Sequence, residues 1–480
     1  MAGHPPRPRP AGALRAAGDD GVLGAIGGGT DTIAAIATPA GRGAIALVRM
    51  SGPAAEHIAG RVALPWPTAP RVATVATIRD PDSGAVADRA LVTRFEGGRS
   101  FTGEPMVEIS THGGPVSSAL VLAALVSAGA RQALPGEFTR RAVMNGKLTL
   151  AQGEAIGDII DATSRSAHRL ALDALDGGLV RRVLALRDAL LDVEALIAYD
   201  IDFPEEDDGP IAPERITRSA DEVSGLLDAL IATAPAGELV RDGALVVLAG
   251  PPNAGKSSLF NALLGDARAL VTPIPGTTRD AIEAVIDAPG WPLRLVDTAG
   301  LRESTDTIER LGIEVSERYL ARAQIVLACG ESTDEIEATI ARIASISSAP
   351  AIGVLTKQDL PDATTADVLS RDTRRFVRVS AESGAGLGEL LARVEETLAA
   401  SFTVVAADMP VVTRARHLAA LRVARAEMRE FSASWQSGEL PAPVIAVHLR
   451  AAVAALEELV GAVDTEDVLD RVFRSFCVGK

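Results

Sequence analysis

The sequence is poor in aromatic residues and in cysteine, and it has no excess of positive charge. Aromatic residues make up 3% of the 480 positions, and the two cysteines, Cys329 and Cys477, lie far apart. Two isolated cysteines exclude a disulfide framework and a cysteine metal site, which favours a reducing, cytoplasmic compartment. The net charge of −16 excludes a basic footprint over the whole surface, so any RNA contact requires a local basic patch or a partner protein.

Long hydrophobic runs are also missing. The sequence has no uninterrupted apolar run of about 18 residues, so no membrane-spanning helix is predicted. Residues 1–30 are rich in proline, glycine and arginine, and they lack the apolar core of a signal peptide. We therefore predict a disordered extension over residues 1–30.

The remaining sequence divides into three kinds of pattern. Residues 31–147 combine short strand-like runs with an apolar stretch, PVSSALVLAALVSAGA, interpreted as a buried helix. Helical periodicity covers residues 148–240, where two long helices and a further helix are expected, and it returns over 402–480. Residues 241–401 alternate strand and helix. The predicted fold class is therefore multidomain, α/β and all-α, with an N-terminal α+β domain and a helical domain interrupted by an inserted α/β domain.

The inserted domain begins with a motif that is typical of phosphate binding. The buried strand ALVVLAG is followed by GPPNAGKS, residues 250–257, and then by an apolar helix. Glycines allow successive backbone N–H groups to surround phosphate oxygens, Lys256 adds a positive charge, and Ser257 can ligate Mg²⁺. This context predicts a P-loop nucleotide-binding domain.

Two further segments occur where a GTPase requires them. PGTTRD, residues 275–280, offers a threonine hydroxyl, Thr278 by preference, to Mg²⁺ and the γ-phosphate, although alone it could be a glycine-centred turn. The strand LRLVDTAG ends in Asp297, which can hold Mg²⁺ through water, and Gly300 can donate its N–H to the γ-phosphate.

The base-reading loop follows a later strand. Asp359 in TKQDL can accept hydrogen bonds from guanine N1 and its exocyclic amine, and Lys357 can lie over the ring. Thr356 replaces the usual asparagine, which weakens the assignment to guanine. VSAESGAG, with Ser380 and Ala381, is similar to a second guanine loop and strengthens it again.

The group that orients the attacking water is not fixed by the residues alone. Leu301 follows Gly300 and cannot form the hydrogen bond that a glutamine forms in small GTPases. Glu303 and Glu309 are both candidates, and either could simply be a carboxylate at a helix N-terminus. Asn253 is equally open, because asparagine suits tight turns and its amide oxygen can also bind a monovalent cation.

The complete set of motifs resembles the MnmE (TrmE) family of tRNA modification GTPases, within the TrmE-Era-EngA-like translational GTPases. The similarity covers residues 31–480. The segments that carry it are ATPAGRGAIALVRMSG, SFTGE, PGEFTRRAVMNGKLTLAQGEAIGDIIDA, VTPIPGTTRD, DTAGLRE and TEDVLDRVFRSFCVGK. The resemblance implies a folate-binding, dimer-forming N-terminal domain at 31–147, a helical domain at 148–240 plus 402–480, and an inserted Ras-like P-loop GTPase domain at 241–401.

The motifs and the resemblance together also imply roles for individual residues. Glu309 would be the catalytic glutamate, Ser257 and Thr278 would ligate Mg²⁺, and Asn253 with Thr272, Ile274 and Thr277 would ligate K⁺; Arg279, in the same switch segment, is a weaker candidate. Arg49, Glu108, Lys147 and Lys480 would bind 5-formyl- or 5,10-methylene-tetrahydrofolate. The expected GTP contacts are Asn253, Ala254, Gly255, Lys256, Ser257, Ser258, Thr272, Pro273, Ile274, Pro275, Gly276, Thr277, Thr278, Asp297, Thr298, Ala299, Gly300, Thr356, Lys357, Asp359, Ser380 and Ala381.

The resemblance implies a homodimer that works with the FAD-dependent protein MnmG in a heterotetramer. That pair would add a carboxymethylaminomethyl or aminomethyl group to carbon 5 of the wobble uridine of certain tRNAs. Two alternatives remain open: a potassium-dependent regulatory GTPase in ribosome assembly, and a paralogue that has lost the modification role. Cys477 is expected either to be a small buried residue or to act near the folate pocket.

Overall fold

The structure is a computed structural model in which two compact units are distinguished. One unit contains residues 1–147 and 470–480, and the other contains residues 148–469. The predicted extension 1–30 lies outside the described residues. The structure describes residues 31–202, 212–266, 282–288, 291–297, 317–359, 376–402, 411–461, 469, 472–473 and 476–479.

The first unit is built on a mixed β-sheet covered by helices. The described strands form a seven-stranded sheet in the order β3-β4-β5-β6-β2-β1-β7. Along the chain the elements are β1 Ile33–Ile36, β2 Ile45–Ser51, α1 Ala55–Val62, β3 Ala63–Leu64, β4 Thr74–Arg79, β5 Val86–Phe95, β6 Met106–His112, α2 Pro115–Ser127, β7 Arg131–Gln132 and α3 Glu137–Met144.

Alternation along the strands separates the two faces of this sheet. Val48 and Ile109 pack with α1 and α2 in the core, whereas Arg49 and Glu108 lie on the opposite face. Helix α2 differs from its interpretation as a buried helix, because it is buried on one side only and Val116 is 67% exposed. It has no charged residue, and its serines do not mark one face, so periodicity does not separate its buried side from its exposed side.

The C-terminal segment differs from its predicted place in the helical domain. Val478 forms a β-bridge with Pro135, and the N–H of Gly136 donates to the carbonyl of Cys477 over 3.3 Å. Phe473 is 2% exposed and packs against Phe476. Residues 470–480 therefore belong to the N-terminal unit, where the segment buries apolar side chains that helical periodicity cannot assign to a partner.

The helical part of the second unit is a bundle. Its helices are α4 Leu150–Asp161, α5 Arg165–Leu175, α6 Gly178–Asp202, α7 Pro213–Ile231, α8 Ala234–Asp242, α12 Ala415–Ser437 and α13 Ala442–Val460. Three helices replace the two long helices expected before residue 203. The break before α5 follows from Ser164, whose hydroxyl accepts the N–H of Ala167 and caps the new helix.

The rest of the second unit is an α/β domain. Its described strands form a six-stranded sheet in the order β13-β12-β11-β8-β10-β9, in which β9 alone is antiparallel to its neighbour. The elements are β8 Ala244–Ala249, α9 Lys256–Asp266, β9 Ile282–Asp287, β10 Pro292–Asp297, β11 Ile325–Gly330, α10 Thr333–Ile343, β12 Ala351–Leu355, β13 Phe376–Arg378 and α11 Leu387–Ser401. The carboxyl ends of the parallel strands share one edge of the sheet, where ligands bind in such folds.

One stretch of the described chain, Pro213–Asp242, is long and apolar enough to cross a membrane by length and composition alone. It consists of α7 and α8, which are separate helices, and half of its most apolar window is buried inside the domain. Ile216 and Leu227 belong to the core of the bundle. The stretch is therefore explained by packing within the helical domain.

Candidate functional site

The phosphate loop connects β8 to α9 at the carboxyl edge of the sheet. All six residues of β8 are buried, which fixes the strand at the centre of the sheet. Gly250 has a φ of +153°, and a Cβ there would lie 2.2 Å from the carbonyl oxygen of Cys329. Asn253 has a φ of 63°, a left-handed conformation that asparagine tolerates better than most residues. This geometry supports the turn role of Asn253, while its exposed amide stays available for a cation.

Lys256 begins α9 and is 5% exposed. Its ammonium donates to the carbonyl oxygens of Gly250, over 3.0 Å, and Pro251, over 2.7 Å. The charge is therefore held over the same loop whose N–H groups would bind phosphate oxygens. Such a buried point charge is suited to stabilise the negative charge that develops during phosphoryl transfer.

Ser257 and Asp297 are brought together from adjacent elements. The hydroxyl of Ser257, in the first turn of α9, donates to Oδ2 of Asp297 over 2.5 Å. Asp297 ends β10, is 1% exposed, and lies beside the end of β8 in a parallel pair. A hydroxyl and a carboxylate oxygen form a donor set that suits Mg²⁺, so these two residues fit the predicted metal site.

The base-reading loop follows β12 at the same edge. Ser380 donates its hydroxyl to Oδ1 of Asp359 over 2.7 Å, and this hydrogen bond lowers the pKa of Asp359. The carboxylate therefore remains an ionised acceptor that can bind the donor edge of guanine. Lys357 has a φ of 55° and forms an ion pair with Glu331.

Thr356, the unusual residue of this loop, is buried and bonded to the phosphate loop. Its hydroxyl lies 2.9 Å from the carbonyl oxygen of Ala254 and 3.2 Å from that of Gly330. Gly330 itself allows a close approach of α10, because a Cβ there would lie 2.9 Å from Cγ1 of Ile336.

Several predicted residues lie outside the described residues. Of the others, Ala254 is 2% exposed, Gly255 has a φ of +76°, Ser258 is exposed in the first turn of α9, and Ala381 follows Ser380. The predicted positions that lie outside are Thr272, Pro273, Ile274, Pro275, Gly276, Thr277, Thr278, Arg279, Thr298, Ala299, Gly300, Glu303, Glu309 and Lys480.

A second candidate site lies on the face of the N-terminal sheet opposite α1 and α2. Arg49 and Glu108 are direct partners across β2 and β6, and their side chains are joined by hydrogen bonds of 2.8 and 3.0 Å. The guanidinium carbon of Arg49 lies 5.7 Å from the ring centre of Phe101 and 5.9 Å from that of Phe138. Contacts with two aromatic rings restrict the orientation of a guanidinium, which can then receive a carboxylate.

Lys147 is connected to this site through the loop that carries Phe101. Its ammonium donates to the carbonyl oxygen of Gly98 over 3.0 Å, and its stem passes close to Gly103. Gly479, the residue before Lys480, lies against Ile36 at the end of β1. Arg49 and Glu108 are thus in direct contact, whereas no hydrogen bond or ion pair among the described residues joins either of them to Lys147.

Sequence reasoning missed the residues that hold this site in place. Phe101 and Phe138 belong to the quoted segments SFTGE and PGEFTRR, but no role was assigned to them. Glu137 is 4% exposed and accepts hydrogen bonds from Arg131 and Arg141. These bonds lower its pKa even though burial alone would raise it. The sequence did contain a signal for such an ion pair, because Glu137 is followed by Arg140 and Arg141 within one short helix.

Comparisons with known proteins match almost the whole chain. The sequence model described as "GTP-binding protein TrmE N-terminus" matches residues 32–147, and that described as "MnmE helical domain" matches residues 150–477. A "tRNA modification GTPase MnmE" from Heliobacterium modesticaldum is 40% identical over 94% of this chain and 99% of its own length. The protein of the same description from Azoarcus sp. is 42% identical over 94% of this chain and 98% of its own length.

Among solved structures, the G domain of the T. maritima FeoB iron transporter is 26% identical and covers 32% of this chain and 98% of its own, with a TM-score of 0.26. A score that low carries no argument about function. The family matches and the observed elements confirm the predicted fold class: an α+β N-terminal domain, a helical domain and a G domain.

Proposed function

The chain belongs to the MnmE family of tRNA modification GTPases, and on that premise we propose that it hydrolyses GTP to support modification of the wobble uridine of certain tRNAs. The observation that carries this proposal is the match over 94% of the chain to relatives of that description. A site of the required chemistry supports it, because Lys256, Ser257, Asp297 and Asp359 lie at one edge of one sheet.

Ser257 and Thr278, the latter outside the described residues, would ligate Mg²⁺, and Asp297 would hold it through water. When bound, the ion would neutralise charge on the phosphates. Asn253, with carbonyls of residues outside the described range, would hold K⁺, which would act as a positive charge near the transferred phosphoryl group. The protein's own contribution is to keep Lys256 buried over the loop and to hold the Asp359 carboxylate through the hydroxyl of Ser380. Glu309 is the proposed residue that orients the attacking water.

The N-terminal site would bind a tetrahydrofolate that supplies the one-carbon unit. Arg49 suits the carboxylates of its glutamate tail, and Glu108 suits the donors of its pterin. Lys147 and Lys480 are the other proposed contacts. We further propose a cytoplasmic homodimer that acts with an MnmG-type flavoprotein and adds a carboxymethylaminomethyl or aminomethyl group at carbon 5.

A purely regulatory GTPase is not favoured. Such a protein has no need for an Arg49–Glu108 pair whose guanidinium lies over two aromatic rings, or for a match to the whole TrmE N-terminal domain. Folate binding by the isolated protein separates the two functions.

Arg49→Ala is expected to weaken binding of 5-formyl-tetrahydrofolate about 10- to 100-fold, the size of a lost charged hydrogen bond. Isothermal titration of the full chain measures the change. Arg79→Ala is the matched control, because Arg79 is exposed and its guanidinium contacts the carbonyl oxygen of Gly84; its affinity should stay within about twofold. Equal binding by Arg49→Ala and Arg79→Ala would contradict the proposed folate site.

A further inference from the structure

The base-reading loop is bonded to the phosphate loop through Thr356. This residue is 4% exposed, and its backbone N–H donates to the carbonyl oxygen of Gly330 over 3.0 Å. Its hydroxyl is directed at Ala254 of the phosphate loop and at Gly330 of β11, over 2.9 and 3.2 Å. A hydroxyl has one proton, and both of these neighbours are acceptors. The single side-chain donor of Thr356 is therefore used inside the protein.

Because the hydroxyl of Thr356 is already hydrogen-bonded within the protein, the other side chains of the loop determine which edge of a purine it can bind. Guanine presents donors at N1 and at its exocyclic amine, and it presents acceptors at N7 and O6. Asp359 is an acceptor and can bind only the donor edge. An amide side chain at position 356 would have two N–H donors, one for the Ala254 carbonyl and one for N7, whereas Thr356 has none left for the base.

The neighbouring side chains of the loop have other partners. Lys357 pairs with Glu331, and Nε2 of Gln358 donates to the carbonyl oxygen of Thr356 over 3.1 Å. Asp359 is itself fixed by Ser380. Among the described side chains of this loop, the carboxylate of Asp359 is therefore the group that binds the base, and it binds the donor edge.

We infer that Thr356 is a positioning residue that fastens the base-reading loop to the phosphate loop, and that this protein binds guanine without a side-chain donor from position 356 to N7. The inference rests on the proposed binding of guanine nucleotides. It assigns base specificity to Asp359 and assigns to Thr356 the alignment of the two loops.

Binding of GDP and of 7-deaza-GDP, in which a C–H replaces N7, tests the specificity. The full-length wild-type protein is expected to bind the two nucleotides within about twofold of each other. Thr356→Asn supplies a second donor and is expected to favour GDP over 7-deaza-GDP by about 3- to 10-fold, the size of one hydrogen bond. A merely structural role of residue 356 would not change this ratio.

Two further variants test the connection between the loops. Thr356→Val keeps the shape but leaves the Ala254 carbonyl without its donor, so affinity for both nucleotides should fall together by about 5- to 100-fold. Thr356→Ser keeps the hydroxyl and should recover most of that loss.

The outcomes separate this inference from the proposed function. A wild-type protein that binds GDP at least fivefold better than 7-deaza-GDP would overturn the inference and leave the proposed GTPase intact. So would a Thr356→Val variant that binds as tightly as Thr356→Ser. A wild-type protein that binds neither nucleotide would overturn the proposed function itself.

Discussion

Lys256→Ala is expected to lower kcat/KM for GTP hydrolysis about 100- to 1,000-fold, the usual cost of removing one preorganised charge stabiliser. The ammonium is 5% exposed and is held against the Gly250 and Pro251 carbonyls. Alanine has no charge to replace the ammonium, so the phosphate loop loses the positive charge that it holds against its own carbonyls. Steady-state phosphate release by the full chain measures the effect.

A second cation of the same domain provides the control. Arg393 on α11 is 40% exposed and lies 3.6 Å from Glu396, so Arg393→Ala should change hydrolysis by less than about twofold, as surface substitutions do. The fluorescence of Trp291, buried in the G domain core, reports whether the variant is folded. A folded Lys256→Ala protein with near-normal turnover would refute the assigned phosphate site.

Glu154→Gln is expected to destabilise the helical domain by about 3 to 5 kcal/mol, because it breaks a buried ion network. Glu154 is 2% exposed and accepts hydrogen bonds from His417 over 2.7 Å and from Arg416 over 3.0 and 3.1 Å. Burial alone would raise its pKa, but the bonds from His417 and Arg416 outweigh burial and lower the pKa to about 2.

Because the pKa of Glu154 is lowered, the loss of stability in Glu154→Gln is expected to depend on pH. The folded value of about 2 lies below the ordinary value of 4.5, so the network stabilises the protein fully above pH 4.5. That contribution, about 3 kcal/mol, is lost as the pH falls from 4.5 towards 2. The difference between wild type and Glu154→Gln should therefore be largest at neutral pH and should shrink at pH 3.

The three tryptophans permit a domain-specific measurement. Trp66, Trp291 and Trp435 pack against the cores of the N-terminal, G and helical domains, respectively. Denaturant unfolding of a Trp66→Phe, Trp291→Phe background would follow the helical domain through Trp435. Glu439→Gln, a change of an exposed glutamate, is the matched control. A Glu154→Gln protein as stable as this control at pH 7 would contradict the account.

The sequence predicted the parts of the site that are local. Residues 250–257 form a loop whose glycines and lysine act within a few positions of one another, so the pattern alone predicts the cradle. Asp297 was also predictable, because adjacent parallel strands end at the same edge of the sheet. Ser164 is a typical N-cap residue and could have predicted the start of α5. The apolar periodicity, however, continues across the break between α4 and α5.

The contacts that sequence could not predict join distant residues. The Thr356–Ala254 bond spans 102 positions, and the Glu154–His417 bond spans 263. No local pattern indicates that a threonine will fasten two loops or that a glutamate will be buried. The aromatic faces beside Arg49 depend in the same way on tertiary packing, and so does the return of the C-terminal segment to Pro135.

The central claim is that the protein supports modification of the tRNA wobble uridine, and nucleoside mass spectrometry of total tRNA tests it most directly. A deletion strain would be compared with its parent and with strains that carry the wild-type gene or Lys256→Ala. We predict that 5-carboxymethylaminomethyl- and 5-methylaminomethyl-type uridines disappear on deletion, return with the wild-type gene and do not return with Lys256→Ala. An unchanged nucleoside profile in the deletion strain would contradict the account.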